Sequence, residues 1–398
     1  MIGFKSFRLG EITKLISSGA TPFGGSKTYL DKGPIIFLRS QNVRMGFLDL
    51  SAVAYISEQA DQAISRTRVE YGDVLLNITG ASIGRVAPFQ LRNSKANVNQ
   101  HVCVIRPIKE QLSSDYLAQY IATPQFQAKI EQMQSGGTRQ ALTFSKIADF
   151  DIPLPSLPEQ KRIAAILDKA DAIRRKRQQA IKLADDFLRA IFLDMFGDPV
   201  TNPKGWESVR LIEICAKITD GEHINPTFVE NGFPIIMANN VRAEGVVFEG
   251  VKYVSKEDFE KFTKKCKPEK NDILVVSRGA TIGRCTTIDT DRAFCLMGST
   301  ILLKVNHDRV TSSFLNYLLQ HPAYQVKLYK TSSASAQQAI YLSHIKELPL
   351  ALPPYRIQQN FSALVFETKK VVNRYLQSLA HGDHLFNCLT QRAFRGEL

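Results

Sequence analysis

The sequence predicts an α+β protein: two tandem mixed α/β domains joined by two long antiparallel helices that form a coiled coil, with pseudo-two-fold symmetry. Three observations predict this fold. The chain contains an internal repeat, each copy begins with short β-rich runs, and each copy ends in a long helical stripe of apolar residues. The 398 residues are enough for two domains that each bury a core.

The internal repeat is clearest in one hexapeptide. Gly80–Arg85 reads G-A-S-I-G-R, and Gly279–Arg284 reads G-A-T-I-G-R in the second half of the chain. Flanking segments recur at nearly the same offset, as Asn42-Val43-Arg44 does in Asn240-Val241-Arg242. The chain therefore consists of two divergent copies of one unit.

Each copy opens with β-branched and aromatic runs that Gly, Pro, Asn and Asp separate, a pattern typical of strands and turns. Helical spacing predicts helices at Ser114–Ile121 and Ser312–Leu319. Prolines near residues 152–155 and 352–354 end the two domains. The predicted strands of the first copy are residues 35–39, 53–57, 73–78 and 102–106, with counterparts in the second copy.

After each proline segment the pattern changes to a long helix. The first is predicted from about Glu159 to Phe196, roughly 55 Å long, and the second from Gln358 to Phe394. If the two apolar stripes pair, connectivity makes the helices antiparallel and places the domains at opposite ends of a rod. The predicted boundaries are 1–155 for the first domain, 156–198 for the first spacer helix, 199–354 for the second domain and 355–398 for the second spacer helix.

Composition and charge indicate an anionic partner. Lys and Arg total 51 against 38 Asp and Glu, a formal net charge of +13 that both halves share. The chain shows no signal sequence and no long apolar run, so a cytoplasmic protein is expected. Six cysteines without a C-x-x-C spacing agree with a reducing compartment.

Motifs of catalysis and metal binding are missing. The sequence has no G-x-G-x-x-G, no P-loop and no H-E-x-x-H. Asn225-Pro226-Thr227-Phe228 lacks the second proline of an adenine methyltransferase motif, and Asp151 with Glu159–Lys161 is a weak nuclease candidate because acidic residues favour a helix N-terminus anyway. His381, His384 and Cys388 share a helical face without a fourth ligand, so no metal site is predicted.

Segments that differ between the copies are the candidates for reading different sequences. Residues 135–140 align with residues 332–338, and there Arg139 aligns with Gln337. Arg suits guanine and Gln suits adenine, so the two domains could prefer different bases at this position. The alternative is a solvated loop without base contacts.

Further polar residues extend this candidate DNA interface. For the residues near 39–44 and 239–242 the alternative is hydrogen bonding at a strand end, and for the two glycine loops it is a tight turn. The basic run Arg174–Arg177 is better explained as a solvated or partner-facing helix surface. The candidate DNA-binding residues are Arg39, Gln41, Asn42, Arg44, Arg85, Arg139, Gln140, Asn239, Asn240, Arg242, Arg284, Gln337 and Gln338.

Four segments together resemble a known family. These are Leu154–Ile163 (LPSLPEQKRI), Phe196–Pro199 (FGDP), the two glycine loops and Gln391–Leu398 (QRAFRGEL). Over essentially its whole length the chain resembles the specificity subunit of type I restriction-modification systems. It departs mildly where the second helix opens, since Tyr355–Gln359 lacks the Glu-Gln pair of the first helix.

The resemblance implies that each domain is a target recognition domain for one half of an asymmetric, bipartite double-stranded DNA site, with the helices as spacer. It also implies two methyltransferase subunits and restriction subunits as partners. These would carry S-adenosylmethionine, ATP and Mg²⁺, whereas this chain would be non-catalytic and hold no cofactor. The alternatives are a non-catalytic coiled-coil scaffold, a fused enzyme, or the specificity subunit of a methyltransferase-only or type II-like system. The candidate subunit contacts are Ile163, Ile166, Ile173, Phe187, Phe361, Leu364, Val371 and Leu385.

Overall fold

A computed structural model describes residues 4–133, 141–330 and 339–398. The chain forms two compact units. Unit 1 comprises Met1–Gln178 and Gln377–Leu398, and unit 2 comprises Gln179–Leu376. Each long helix therefore begins in one unit and ends in the other.

Unit 1 is built from short strands followed by helices. Its strands are β1 (Ser6–Arg8), β2 (Thr13–Ser18), β3 (Ile35–Leu38), β4 (Ala54–Ile56), β5 (Val74–Asn77), β6 (Val86–Pro88), β7 (Ala96–Val98), β8 (Val102–Pro107) and β9 (Asp151–Pro153). Its helices are α1 (Glu58–Ala63), α2 (Ser114–Ile121), α3 (Pro124–Gln132), α4 (Phe144–Ala148) and the first part of α5 (Leu157–Phe196). The four predicted strands and the first predicted helix are all present.

The strands of unit 1 form two main sheets and one pair. An antiparallel sheet has the order β2-β8-β5-β6, and a three-stranded sheet has the order β4-β3-β7, in which β3 and β7 run parallel. β1 pairs with β9, so the two ends of the domain meet.

Unit 2 repeats this plan. Its strands are β10 (Glu207–Arg210), β11 (Cys215–Asp220), β12 (Phe233–Ile236), β13 (Lys252–Val254), β14 (Ile273–Val276), β15 (Cys285–Thr287), β16 (Cys295–Leu296), β17 (Thr300–Val305) and β18 (Pro349–Leu352). Its helices are α6 (Lys256–Lys265), α7 (Ser312–Gln320), α8 (Pro322–Lys330), α9 (Leu342–Lys346) and the first part of α10 (Tyr355–Arg395). The sheet orders β11-β17-β14-β15, β13-β12-β16 and β10-β18 match those of unit 1, which confirms the predicted duplication.

The four-stranded sheet of unit 1 is buried on both faces, and alternation along its strands decides which residue faces which layer. Val74 and Leu76 pack in a cluster with α2, α4 and the start of α5. Leu75 and Val104 point to the other face, where they pack against the three-stranded sheet. This explains why β5 and β8 are almost continuous apolar runs rather than alternating ones.

The long helices are integral parts of the two cores. Ile163 of α5 is fully buried in the core of unit 1, and Phe361 of α10 is fully buried in the core of unit 2. Phe192 and Phe196 of α5 pack edge-on against Phe361, with ring centroids 5.5 and 5.4 Å apart. Edge-to-face aromatic pairs of this kind stabilise the packing of α5 against α10 within unit 2.

Both helices begin slightly before the predicted positions. α5 starts at Leu157 and includes Pro158, which the first turn accepts because its missing N–H would have no helical partner. α10 starts at Tyr355, directly after Pro354. The absent Glu-Gln pair does not alter this start, because Gln358 makes the contacts that Gln160 makes in α5.

Within unit 1 the two helices run antiparallel. Arg162 donates a hydrogen bond to Leu398 O at 2.8 Å, and further along α5 Arg177 donates to Ser378 O at 3.0 Å. Between these contacts Arg174 pairs with Asp383 at 2.6 Å. Polar groups thus make part of this pairing, while stripe residues such as Ile173 and Leu385 remain exposed. None of the helices in the described ranges combines the length and apolar composition needed to cross a membrane.

Candidate nucleic-acid interface

Four loops of unit 1 leave the sheets at one end. β2 ends at Ser18, which pairs with Cys103 near the start of β8, and β5 ends at Asn77, which pairs with Val102. The Asn99 N–H donates to Leu38 O at 3.1 Å, which brings the end of β3 to the same place. We call this surface loop edge 1 and define it as residues 19–34, 39–53, 78–85 and 99–101. Antiparallel pairing of β2 and β5 with β8, together with parallel pairing of β3 with β7, gathers these distant segments.

A chain of polar side chains links three of these loops. The Thr21 hydroxyl bonds to the side-chain oxygen of Gln100. The Gln100 amide nitrogen lies 3.2 Å from His101 Nε2, and His101 Nδ1 lies 2.5 Å from Thr79 Oγ1. Sequence reasoning missed these residues, although Asn99-Gln100-His101 directly precedes the strong β8 run and so had to lie at a strand end. The chain of contacts fixes the loops relative to one another.

Unit 2 has an equivalent surface with different side chains. Loop edge 2 comprises residues 221–232, 237–251, 277–284 and 297–299, which follow or precede the corresponding strands. Here His223 Nε2 lies 2.7 Å from Asp220, and Lys265 lies 3.1 Å from the other carboxylate oxygen. Burial acts to raise the pKa of Asp220, but the hydrogen bonds from His223 and Lys265 outweigh it and hold this pKa below its usual value. The two loop edges therefore carry different polar side chains on similar arrangements of strands.

The two glycine loops serve the fold. The Gly84 N–H donates to Asn77 O at 3.0 Å, and the Gly283 N–H donates to Val276 O at 2.8 Å, so these amides are not available to phosphate. Both glycines adopt positive φ, and a Cβ at Gly84 would lie 2.5 Å from the side chain of Gln127. The tight-turn interpretation holds for these backbone groups. Arg85 and Arg284 are half-buried in the loops, and their contact with phosphate stays a prediction.

The prediction that Asn42 and Asn240 contact DNA is wrong. Asn42 is buried, its oxygen accepts from the Arg39 N–H at 3.0 Å, and its amide donates to Asp49 O at 2.9 Å. Asn240 makes the same pair of bonds, with the Met237 N–H and Val247 O. A buried amide whose bonds are used inside a loop cannot read a base edge, so the strand-end alternative is correct for both.

The other predicted residues of these loops differ in availability. Arg44 is paired with Asp49 at 3.2 Å, which offsets its charge and weakens it as a phosphate ligand. The Arg39 guanidinium lies over the Tyr29 ring at 5.4 Å and is half-buried. Gln41, Asn239 and Arg242 are exposed on their loop edges, and their contact with DNA stays a prediction.

The predicted readers Arg139, Gln140, Gln337 and Gln338 lie outside the described residues. The chain that follows each of these segments returns to a loop edge. The Leu142 N–H donates to Ile78 O at 3.0 Å, and the Ile340 N–H donates to Ser277 O at 2.9 Å. Their base contacts stay a prediction.

The helix residues proposed as subunit contacts divide into two groups. Ile163 and Phe361 are fully buried in the chain's own cores, so a partner cannot touch them, and for these two the prediction is wrong. Ile166 is half-buried, and five others are exposed by 39% to 60%: Ile173, Phe187, Leu364, Val371 and Leu385. Their contact with a partner stays a prediction.

The basic run on α5 is engaged within unit 1. Arg174 and Arg175 both pair with Asp171 at 3.2 Å, and Arg177 donates to a main-chain carbonyl of α10. These contacts favour the helix-surface interpretation over phosphate contacts. In the three described ranges, no group of three or more His, Cys, Asp or Glu side chains is arranged to hold a metal ion.

Two units with the same strand orders, whose loop edges carry different polar side chains, define a protein with a duplicated candidate recognition surface. The family model described as "Type I restriction modification DNA specificity domain" matches residues 1–183 and 203–366. The chain belongs to this family.

Named relatives agree with this assignment. The chain is 23% identical to the StySPI type I restriction enzyme specificity subunit of Salmonella potsdam, over 100% of this chain and 89% of the relative. It is 24% identical to the EcoBI specificity subunit of Escherichia coli, over 76% of this chain and 69% of the relative.

Two solved structures share the fold. The S subunit of a type I restriction-modification system from M. genitalium has a TM-score of 0.63 at 14% identity, covering 99% of this chain and 96% of that one. A chain from a study of complex assembly and conformational transition of the type I R-M system has a TM-score of 0.54 at 20% identity, covering 100% and 99%.

Proposed function

We propose that this protein is the DNA-recognition subunit of a type I restriction-modification complex and that each unit reads one half of an asymmetric, bipartite duplex site. The observation that carries the proposal is the pair of loop edges. Both rest on the same strand order, yet one presents exposed Gln100 beside half-buried His101 and the other presents exposed His223. One fold with two different exposed surfaces is suited to reading two different half-sites.

Charge supports a nucleic-acid partner. The net charge of +13 favours a polyanion, and within loop edge 1 Lys27 is exposed on a loop, residues 19–28, that contains no acidic residue. Phosphate contacts of this kind position a protein on the duplex, while base-edge contacts select the sequence. A scaffold that does not bind DNA, the alternative class, gives no reason for two such unlike polar edges.

The chain's role in the complex is recognition, and chemistry belongs to its partners. Motifs for nucleotide, cofactor and catalytic metal binding are missing from the sequence. Methyltransferase subunits would bring S-adenosylmethionine, and restriction subunits would bring ATP and Mg²⁺. The exposed apolar residues of the long helices, such as Phe187 and Val371, offer contact area for such partners.

A map of methylated adenines in cells with and without this protein tests the proposal. We expect methylation at one two-part motif to disappear when the protein is absent and to return with the wild-type chain. An unchanged methylation map would refute the proposed function. The map also supplies the motif for binding experiments in vitro.

Binding of that motif by the protein with its methyltransferase subunits should fall steeply with salt, because phosphate contacts release counterions. Lys27→Ala should reduce the salt slope by about one, the change expected for one lost phosphate contact. Lys14→Ala is the matched control, since Lys14 is equally an exposed lysine but lies at the other end of β2. Equal slopes for the two variants would contradict the assignment of loop edge 1 to DNA.

Helix length should set the gap between the half-sites, because both helices pass from one unit to the other. Inserting about four residues, one helical turn, after Gln178 should change the number of unspecified base pairs without changing the bases read. An insertion that altered the half-site bases would contradict this spacer role.

A further inference from the structure

Phe23 stands out on loop edge 1 because none of the residues that the structure describes covers its side chain. Its relative exposure is 101%, whereas the large apolar side chains of the two cores are fully buried. A single exposed apolar residue is ordinary on a protein surface. A phenylalanine that buries no side-chain area against the described part of the chain adds nothing to the core, and its ring is available to a partner.

The turn that carries Phe23 is held in a defined conformation. The Gly25 N–H donates to Pro22 O at 2.9 Å, and Gly24 has φ 93° and ψ −7°. These values describe a type II turn with Phe23 at its first corner and glycine at the position that needs positive φ. Pro22 is buried, so the turn is anchored and its corner points away from the unit.

The base of the same loop is fixed as well. A Cβ at Gly19 would lie 1.8 Å from Val98 O, so the loop leaves β2 in close contact with β7. Thr21, two residues before Phe23, is hydrogen-bonded to Gln100. The aromatic ring is therefore presented on a braced loop and loses little conformational freedom when it meets a partner.

Unit 2 also carries an exposed apolar residue in the equivalent loop. Ile224, on the loop after β11, is 61% exposed. Its N–H donates to the Glu222 carboxylate at 3.1 Å, as does the His223 N–H at 2.8 Å, so this loop is also braced. An exposed apolar residue in the equivalent loop of both units argues for a shared use, and the aromatic ring on a defined turn makes unit 1 the stronger case.

We propose that Phe23 is an apolar wedge that inserts against a base step of the half-site read by unit 1 and partly unstacks it. Proteins that bend or open a duplex use exposed Phe, Leu or Ile side chains in this way, with basic residues nearby on the backbone. Lys27 supplies such a positive charge in the same loop. The inference rests on the proposed function and adds a residue that selects sequence through the deformability of the step.

The test uses the full chain in complex with its methyltransferase subunits and duplexes that carry the mapped motif, with 2-aminopurine placed singly at each position of both half-sites. In the wild-type complex, 2-aminopurine fluorescence should rise at one base step, and that step should be a different one from the site of the methylated adenine. Phe23→Ala should abolish that rise and weaken binding about tenfold, the loss typical of one stacking contact. Phe23→Trp should retain both signals.

Ile212→Ala is the matched control, because Ile212 is also an exposed apolar residue but precedes β11, at the end remote from loop edge 2. Binding within twofold of wild type and an unchanged fluorescence profile for Phe23→Ala would overturn the wedge. Loss of complex assembly in Phe23→Ala would also overturn it, since Phe23 would then be a protein contact. Failure of wild type to prefer the motif would refute the proposed function itself.

Discussion

Replacing Gln160, in the first turn of α5, with leucine should destabilise unit 1 strongly. Gln160 is fully buried, and its oxygen accepts from the Ser113 N–H at 2.9 Å. Its amide donates to Gln111 O at 2.8 Å and to Pro155 O at 2.9 Å. Leucine fills similar volume but satisfies none of these groups, and at about 1 kcal/mol for each bond the loss is about 3 kcal/mol.

Urea unfolding combined with hydrogen exchange measures this effect. The Ser113 amide should exchange rapidly in Gln160→Leu, because its acceptor is gone. Gln358→Leu should cost less, about 2 kcal/mol, since one of its three bonds is long at 3.4 Å. Gln178→Leu is an exposed control on the same helix and should stay within about 0.5 kcal/mol of wild type. A protected Ser113 amide in Gln160→Leu, with stability equal to the control, would refute the reasoning.

Three further expectations follow from the buried polar contacts. Arg106 binds both oxygens of buried Asp73 at 2.9 Å, so Arg106→Met should cost about 3 to 5 kcal/mol in urea unfolding. Arg106→Lys should recover most of this, because Lys304 makes the equivalent pair in unit 2, and equal losses for both variants would show that a positive charge alone does not stabilise Asp73. Asn42→Ala should lower stability by about 2 kcal/mol yet leave the methylated motif unchanged, whereas a changed motif would restore Asn42 as a reader. Tyr116→Phe should cost about 1 kcal/mol, because its hydroxyl donates to a β9 carbonyl at 2.6 Å, and an unchanged midpoint would count against that bond.

The repeat and the periodicities made most of the architecture predictable. Helix α2 occupies the predicted residues Ser114–Ile121, and the apolar runs near 73–78 and 102–106 are β5 and β8. These elements were found because their side chains have to face a core at a fixed period. β2 was missed, because four of the six residues of its sequence TKLISS are polar and it pairs with a strand that lies far along the chain.

The site was less predictable for a physical reason. Polar residues at strand ends look alike in sequence whether they bond inward, as Asn42 does, or point outward, as Gln41 does. Burial decides between the two, and burial depends on contacts with distant segments. The same holds for Thr21 and Gln100, which meet only because β2 and β8 pair.

By itself the sequence determined that the chain is duplicated, basic and built from short strands followed by long helices, since repeats, charge and apolar period are local properties of the chain. Only the tertiary structure decided which polar groups are free to meet a duplex. Asn240 and the Gly283 N–H are hydrogen-bonded within the loops of unit 2, whereas the Phe23 side chain is exposed to solvent in the described structure. Hydrogen-bond satisfaction and burial depend on segments that the fold brings together, and no local pattern specifies them.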